Sequence, residues 1–188
     1  IRNSQEWYIS RPAHFGYQNT KICTSEGKLK VVYSHDPIES KYIKIMFDMR
    51  AKWIFSDQEI VTQVNLAGYK SRVSKRWNLE KTIVVWFKGG KQLNVKQLQG
   101  YIKNPVYAWI IQEKWTNHQP IRGKFPWIVS IETFNQANRG VCEILEHSDG
   151  NISILHGHEK LSERVIHRRF RFQTEYPFAR AMKCPQCA

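Results

Sequence analysis

One helix-start signature occurs three times in this chain, and it constrains the fold more than any other feature. Ser56 is followed three residues later by Glu59, with Phe55 before it and Ile60 beyond. Asn94 is followed by Gln97, flanked by Leu93 and Leu98. Ser130 follows Val129 and precedes Phe134 by four. A short polar side chain at the first position accepts a bond from an unpaired amide of the first turn, and Glu or Gln three residues on reaches back. The flanking apolar pair staples the incoming chain to the helix. Helices are therefore predicted over 57–67, from Asn94 to about Lys103, and from Ser130 to Gly140. Gly68 and Gly140 supply left-handed stops, and Pro105 disfavours helical geometry at Asn104. A fourth helix, 37 to about 53, follows from Asp36 as cap, Pro37 in the first turn and Glu39 closing a box. Its apolar stripe is Ile38, Tyr42, Ile45, Met46, Met49 and Trp53.

Between the helices the pattern shortens. "KLKVVYS" alternates as a short strand, and "KTIVVWFKGGKQLNV" reads as a strand, a Gly89-Gly90 turn and a return into the helix from Asn94. "PVYAWII" is strand-like. "VCEILEHSDGNISILHGH" is either a hairpin around Asp149-Gly150 or, in its first half, a continuation of the preceding helix. The expectation is an α+β fold, mostly helical with small β-hairpin elements. It comprises a domain with a lead-in over 1–140, a basic linker with an alternative hairpin over 141–183, and a separate start at 184–188.

Charge addresses partners. Lys and Arg number 29 against 16 Asp and Glu, a net +13, which attracts polyanions such as DNA, RNA or an acidic membrane surface. The plain alternative is a basic domain with no such partner. The longest apolar run, "VYAWII", is far shorter than a membrane span. Four cysteines, with Cys23 and Cys142 far apart, do not form a disulfide framework, and a reducing cytoplasm is expected. The cations cluster. Lys70, Arg72, Lys75 and Arg76 crowd one segment, read as a loop that is either a solvated connection or a phosphate clamp. Arg164, Arg168, Arg169 and Arg171 interleave with Phe170 and Phe172, either as a polyanion site or as a basic strand edge. Lys96, Gly100 and Lys103 share one face of the third helix. A helical Gly costs about 1 kcal/mol relative to Ala, which points to close approach by another molecule, to tight internal packing or to an early helix end.

Cys184 and Cys187 have the spacing of a zinc knuckle but supply two of four ligands. His156 and His158 are too weak a signal to complete the set. No phosphate-binding Gly-rich loop, nucleophile elbow or His-Glu-x-x-His occurs. "HGHEK" beside the Cys pair leaves a truncated metal-dependent nuclease as one alternative.

The order of these segments resembles the region that follows the catalytic domain in large serine recombinases, the site-specific integrases and transposon recombinases. "SRPAHFGY", "HDPIESKYIKIMFDM", "EIVTQVNLAGYKSRVSKRW", "LNVKQLQGYIKNPVYAWII", "VSIETFNQAN" and "KCPQC" span nearly all of 8–187 in family order. "YIKNPVYA" is the most specific piece, and Ala13 and His14 depart from the family's Gly-Arg-Pro-Pro-Tyr-Gly-Tyr. "NLEKTIVVWFKGGKQ" is longer than in many members and reads as an extra hairpin. The resemblance implies a recombinase DNA-binding domain followed by the start of a zinc ribbon. The fragment would be without catalytic activity, because no segment matches the serine-bearing domain. The whole protein would cut and rejoin DNA through a phosphoserine link, as a dimer or tetramer on its attachment site, with structural zinc. Arg11, Lys70, Arg72, Lys75, Arg76, Lys96 and Lys103 would meet phosphates together with the arginines of 164–171. Asn94, Gln97 and Gln99 are candidates for base edges, and Cys184 and Cys187 for the incomplete metal site. An RNA-binding basic module remains the other alternative.

Overall fold

The structure, a computed structural model, describes residues 12–157 apart from 24–26, 28, 81 and 149. Helix α1 (Glu39–Lys52) presents Ile43, Met46 and Phe47 to the interior. The buried stripe is thus rotated from the one expected. Tyr42, Ile45 and Met49 flank it, while Ile38 and Trp53 are exposed. Trp53 instead ends the helix in a left-handed conformation (φ 56°), and its indole Nε1 donates to the Gln136 carbonyl at 2.6 Å. Asp36 caps as expected in function, its Oδ1 accepting the amides of Ile38 (3.0 Å) and Glu39 (2.9 Å). Glu39 does not reach back to it.

Helix α2 (Asp57–Leu66) and helix α3 (Val95–Ile102) start on the capping boxes of Ser56–Glu59 and Asn94–Gln97. Helix α4 (Ile131–Ala137) starts on Ser130, whose Oγ accepts the Thr133 amide at 3.3 Å. The staple residues Ile60, Leu98 and Phe134 are all buried.

The β structure consists of four two-stranded antiparallel ladders. β1 (Tyr17–Cys23) pairs with β2 (Leu29–His35), β3 (Ser74–Trp77) with β4 (Val84–Lys88), β5 (Ile110–Ile111) with β6 (Ile121–Arg122), and β7 (Cys142–Glu146) with β8 (Ile152–His156). The run "PVYAWII" is not one strand. Asn104 Oδ1 accepts the Val106 amide at 3.1 Å and turns Pro105–Ala108 into a 3-10 helix, and Trp109 (φ 56°) reverses the chain before β5. The stretch from 141 opens with β7 and β8, which form a hairpin rather than prolonging α4. Cys142 and Ile144 are buried in the same core as the helices, and this compact unit runs to His156.

Aromatic rings fill the centre. Tyr17 stacks on Tyr33 at 5.3 Å and on Tyr107 at 6.2 Å, with the edge of Phe125 against both Tyr17 and Tyr33. Burial pushes the Tyr107 phenol well above its ordinary pKa. Three Asn side chains lock the elements together by matching backbone groups. Asn65 of α2 both accepts from the Leu93 amide (2.8 Å) and donates to its carbonyl (3.0 Å). Asn135 of α4 does the same to Ile144, at 2.7 and 2.8 Å. The buried Asn138 donates to the carbonyls of Ile102 (2.7 Å) and Phe134 (3.1 Å), joining the ends of α3 and α4. These amides give partners to the backbone groups they meet at the joints, which helps to place α3 firmly.

Candidate nucleic-acid interface

Helix α3 separates its side chains by 100° per residue. Leu98 and Ile102 are buried and Val95 and Tyr101 half-buried, so Lys96, Gln99, Gly100 and Lys103 form one exposed stripe. A Cβ built on Gly100 meets nothing within 4 Å. Internal packing therefore does not explain this glycine, and since the helix continues to Ile102, neither does an early end. It leaves a bare strip of backbone between two lysines. Gln99 Nε2 donates to Asp57 Oδ2 at 2.9 Å, and Asp57 Oδ1 receives Arg50 Nη1 at 2.9 Å, so the stripe is braced against α1 and α2. Arg50 in turn lies 4.3 Å from the Trp53 ring centroid. A cleft of about 180 Å³ opens beside this brace, lined by Arg50, Asp57, Gln99 and Lys103. Asn94 and Gln97 spend one polar atom each on the capping box, at 2.9 and 3.3 Å, which ties their side chains to the helix start.

The segment 70–76 is not one basic loop. Residues 70–73 are irregular, and Ser74–Trp77 is strand β3. Lys70 and Lys75 are exposed. Arg72 points the other way. Its Nε donates to Glu39 Oε1 at 2.6 Å, its Nη2 to Glu39 Oε2 and to the Tyr17 carbonyl, and its Nη1 to the Ala13 carbonyl at 2.6 Å. Glu39 Oε2 also accepts the Gly16 amide at 2.9 Å. Burial alone would weaken the proton's hold on this guanidinium, but the Glu39 carboxylate overrides it and the group is held charged more firmly than usual. Arg72 thus binds the lead-in segment and α1 to the chain after α2, and its fork is consumed in doing so. Glu39, read as a box residue, is the partner; nothing in the local pattern signals a pairing across 33 positions.

The backbone beyond Arg72 is pinned as well. The Gly90 amide donates to the Ser71 carbonyl and the Ser71 amide to the Lys91 carbonyl, both at 2.9 Å. Ser71 Oγ accepts the Lys91 amide at 3.0 Å. A Cβ on Gly89 (φ 126°) would lie 1.9 Å from the Arg72 carbonyl oxygen, so only glycine lets β4 cross the Arg72–Val73 backbone here. The outcome is a β3–β4 ribbon whose base is fixed to the core. Its far end is stiffened by Asn78, which accepts the Thr82 amide at 2.8 Å and pairs backbone with Ile83. Val85, Trp86 and Phe87 are exposed along β4, with Lys88 and Lys91 exposed at its base. The sequence reading recognised this strand but not that it carries further cations and uncovered aromatics beside Lys75; the Gly-Gly pair was the available signal for the reversal.

Arg11, Arg164, Arg168, Arg169, Arg171, His158, Cys184 and Cys187 lie outside the described residues, and the Arg76 side chain is not described. Among the described residues no three His, Cys, Asp or Glu side chains gather as a metal site, and no helix is long and apolar enough to cross a membrane.

No family model matches the chain, and no curated protein does. Among solved structures it is similar to a crystal structure of an LSR–DNA complex, with a TM-score of 0.43 and 14% identity over 70% of this chain and 31% of the other. A second, concerned with the sequence requirements of the Listeria innocua prophage attP site, has the same TM-score and identity over 70% of this chain and 42% of the other. The chain spans less than half the length of these solved chains.

Proposed function

We propose that this chain is the DNA-binding part of a large serine recombinase and recognises part of an attachment site. The whole protein would cut and rejoin that site through a phosphoserine link, assembled as a dimer or tetramer. The ordered resemblance of the segments across 8–187 supports the family, and the charge of +13 supports a polyanionic partner. The observation that carries the reading is the exposed stripe of α3. Lys96 and Lys103 flank the bare backbone at Gly100, so a sugar–phosphate strand can approach closely between two cations. Lys70 and Lys75 add phosphate contacts, as would Arg11 and the arginines of 164–171. Arg72, held by Glu39, acts on this surface only by fixing its position. Asn94, Gln97 and Gln99 would reach base edges only with the polar atoms left over from their helix contacts. Cys184 and Cys187 would give thiolates to a structural zinc.

The test is equilibrium binding of the chain to duplex DNA across a salt series, beside an unrelated protein of matched charge, followed by selection from a random-sequence pool. Tighter binding than the control and an enriched sequence are expected. Lys96→Ala and Lys103→Ala should each lower the salt slope by about one. Binding equal to the control with no enriched sequence would retire the proposal. A duplex-RNA competitor that outperforms duplex DNA would replace it with the RNA reading, and DNA cleavage by the chain with added divalent ion would replace it with the nuclease reading.

A further inference from the structure

The β3–β4 ribbon leaves uncovered the residues that proteins ordinarily bury. Successive side chains of a strand point to opposite faces, so Phe87, opposite Lys75, occupies one face and Trp86 the other. Val85 is the extra residue at a break in register between the Trp77–Val84 and Arg76–Trp86 pairs. Trp86 is 53% and Phe87 63% exposed, and neither face is therefore a core face. The ribbon is nevertheless tied down at both ends. Its base is held by the Ser71 bonds and the Gly89 crossing, and its far loop by Asn78. A stiff arm with apolar residues along its length and a fixed root is built to insert into something.

Charge identifies the partner. Residues 70–91 hold seven Lys or Arg against the single acid Glu80, and with Arg72 consumed by Glu39 six cations remain. A hydrophobic protein surface would be a poor match for that density, whereas duplex DNA offers two phosphate walls around a groove floor of base edges and thymine methyl groups. Two strands lie about 4.8 Å apart, and the major groove, about 12 Å wide, admits a two-stranded ribbon. Lys88 and Lys91 sit at the base, and Lys75 pairs across from Phe87. With the Phe87 face turned to the groove, Phe87 would meet the floor and the lysines the walls, while Trp86 faces outward.

We infer that the β3–β4 ribbon is a second DNA-contacting element, lying in the major groove and contacting bases through Phe87. The inference rests on the DNA-binding reading given above and adds an apolar contribution that charge alone does not supply.

The test uses the whole chain and a mixed-sequence duplex spanning several helical turns, with dissociation constants measured across a salt series. Phe87→Ala should raise Kd about threefold with an unchanged salt slope, since it removes apolar contact and no charge, whereas Trp86→Ala on the outward face should leave Kd unchanged. Lys75→Ala/Lys88→Ala should lower the slope by about two. Thermal midpoints should stay near that of the parent chain, because the replaced side chains are exposed. If the parent chain binds and Phe87→Ala binds equally well, or Trp86→Ala weakens binding as much as Phe87→Ala does, the ribbon inference is wrong and the DNA-binding reading stands. If the parent chain does not bind duplex DNA, both fall. If the chain self-associates without DNA in sedimentation and Trp86→Ala/Phe87→Ala abolishes that, the ribbon is an interface between copies and the inference is overturned.

Discussion

Helix α3 and the β3–β4 ribbon are both basic and both reach the surface, but they dispose of their apolar residues in opposite ways. The helix buries Leu98 and Ile102 and shows solvent only Lys96, Gln99, Gly100 and Lys103. The ribbon shows solvent its valine, tryptophan and phenylalanine as well as its lysines. Each apolar residue of α3 is accounted for by the core, so only its charge and its glycine speak of a partner. On the ribbon the apolar residues speak too. The ribbon's root is held at Arg72 and Gly89 by a half-buried ion pair and a backbone crossing.

The largest effect should come from that root. Gly89→Ala forces backbone apart at a 1.9 Å contact and should cost about 3 kcal/mol or more in urea unfolding. Gly90→Ala, with its nearest neighbour 3.6 Å away and φ 68°, should cost only about 1–2 kcal/mol. Equal losses would mean that the crossing does not fix the ribbon.

Arg72→Ala comes next. It strands the half-buried Glu39 and two backbone carbonyls, and a loss of about 2–3 kcal/mol is expected by the same measurement, somewhat below a fully buried pair. Arg72→Lys should recover little, because an ammonium cannot span both carboxylate oxygens and two carbonyls. A loss of DNA affinity in Arg72→Ala without loss of stability would return this residue to the phosphate-facing set.

Gly100→Ala sharpens the contrast from the helix side. The added methyl enters open space on a helical backbone, so stability should rise by about 0.5–1 kcal/mol, while DNA affinity falls if a phosphate strand passes over that strip. Thermal melting and the binding assay together separate the two.

The smallest effect is a pH dependence confined to the core side. His14 packs edge-on against Tyr33, and burial, opposed by Glu113 and reinforced by Arg72, holds its pKa below the ordinary 6.5. The unfolded chain therefore takes up this proton first. The contribution is present in full above pH 6.5 and is lost as pH falls from there through the lower folded value. His14→Gln should flatten that part of the stability profile and leave DNA binding at neutral pH unchanged.

What the sequence disclosed was local. The caps at Ser56 and Asn94 hold because a box and its staple lie within six residues, and Ser130 caps the Thr133 amide with its own staple residue Phe134 four positions on. Asp36 likewise caps α1 from three positions away. Glu39 looked like one more box residue, and its true partner is a guanidinium that folding brings from 33 positions on. The apolar run after Pro105 has strand composition, but Asn104 bonds its own downstream amide and turns it into a 3-10 helix, a competition that composition does not register. The candidate site divides along the same line. Lys96 and Lys103 follow from helical period, whereas Arg72's inward orientation and the uncovered faces of the ribbon depend on contacts between distant segments.

The four ladders have a kinetic meaning. Each strand described pairs with the next strand along the chain, so every β contact closes a short loop, and loop closure is cheap and fast when loops are short. Hairpins form in about 1–10 μs. The slow events in folding are then expected among the long-range dockings, α4 onto α1 through Trp53 and Gln136 across 83 positions being one of them. A lengthened β3–β4 loop should leave the folding rate almost untouched, while a weakened α1–α4 contact should slow it.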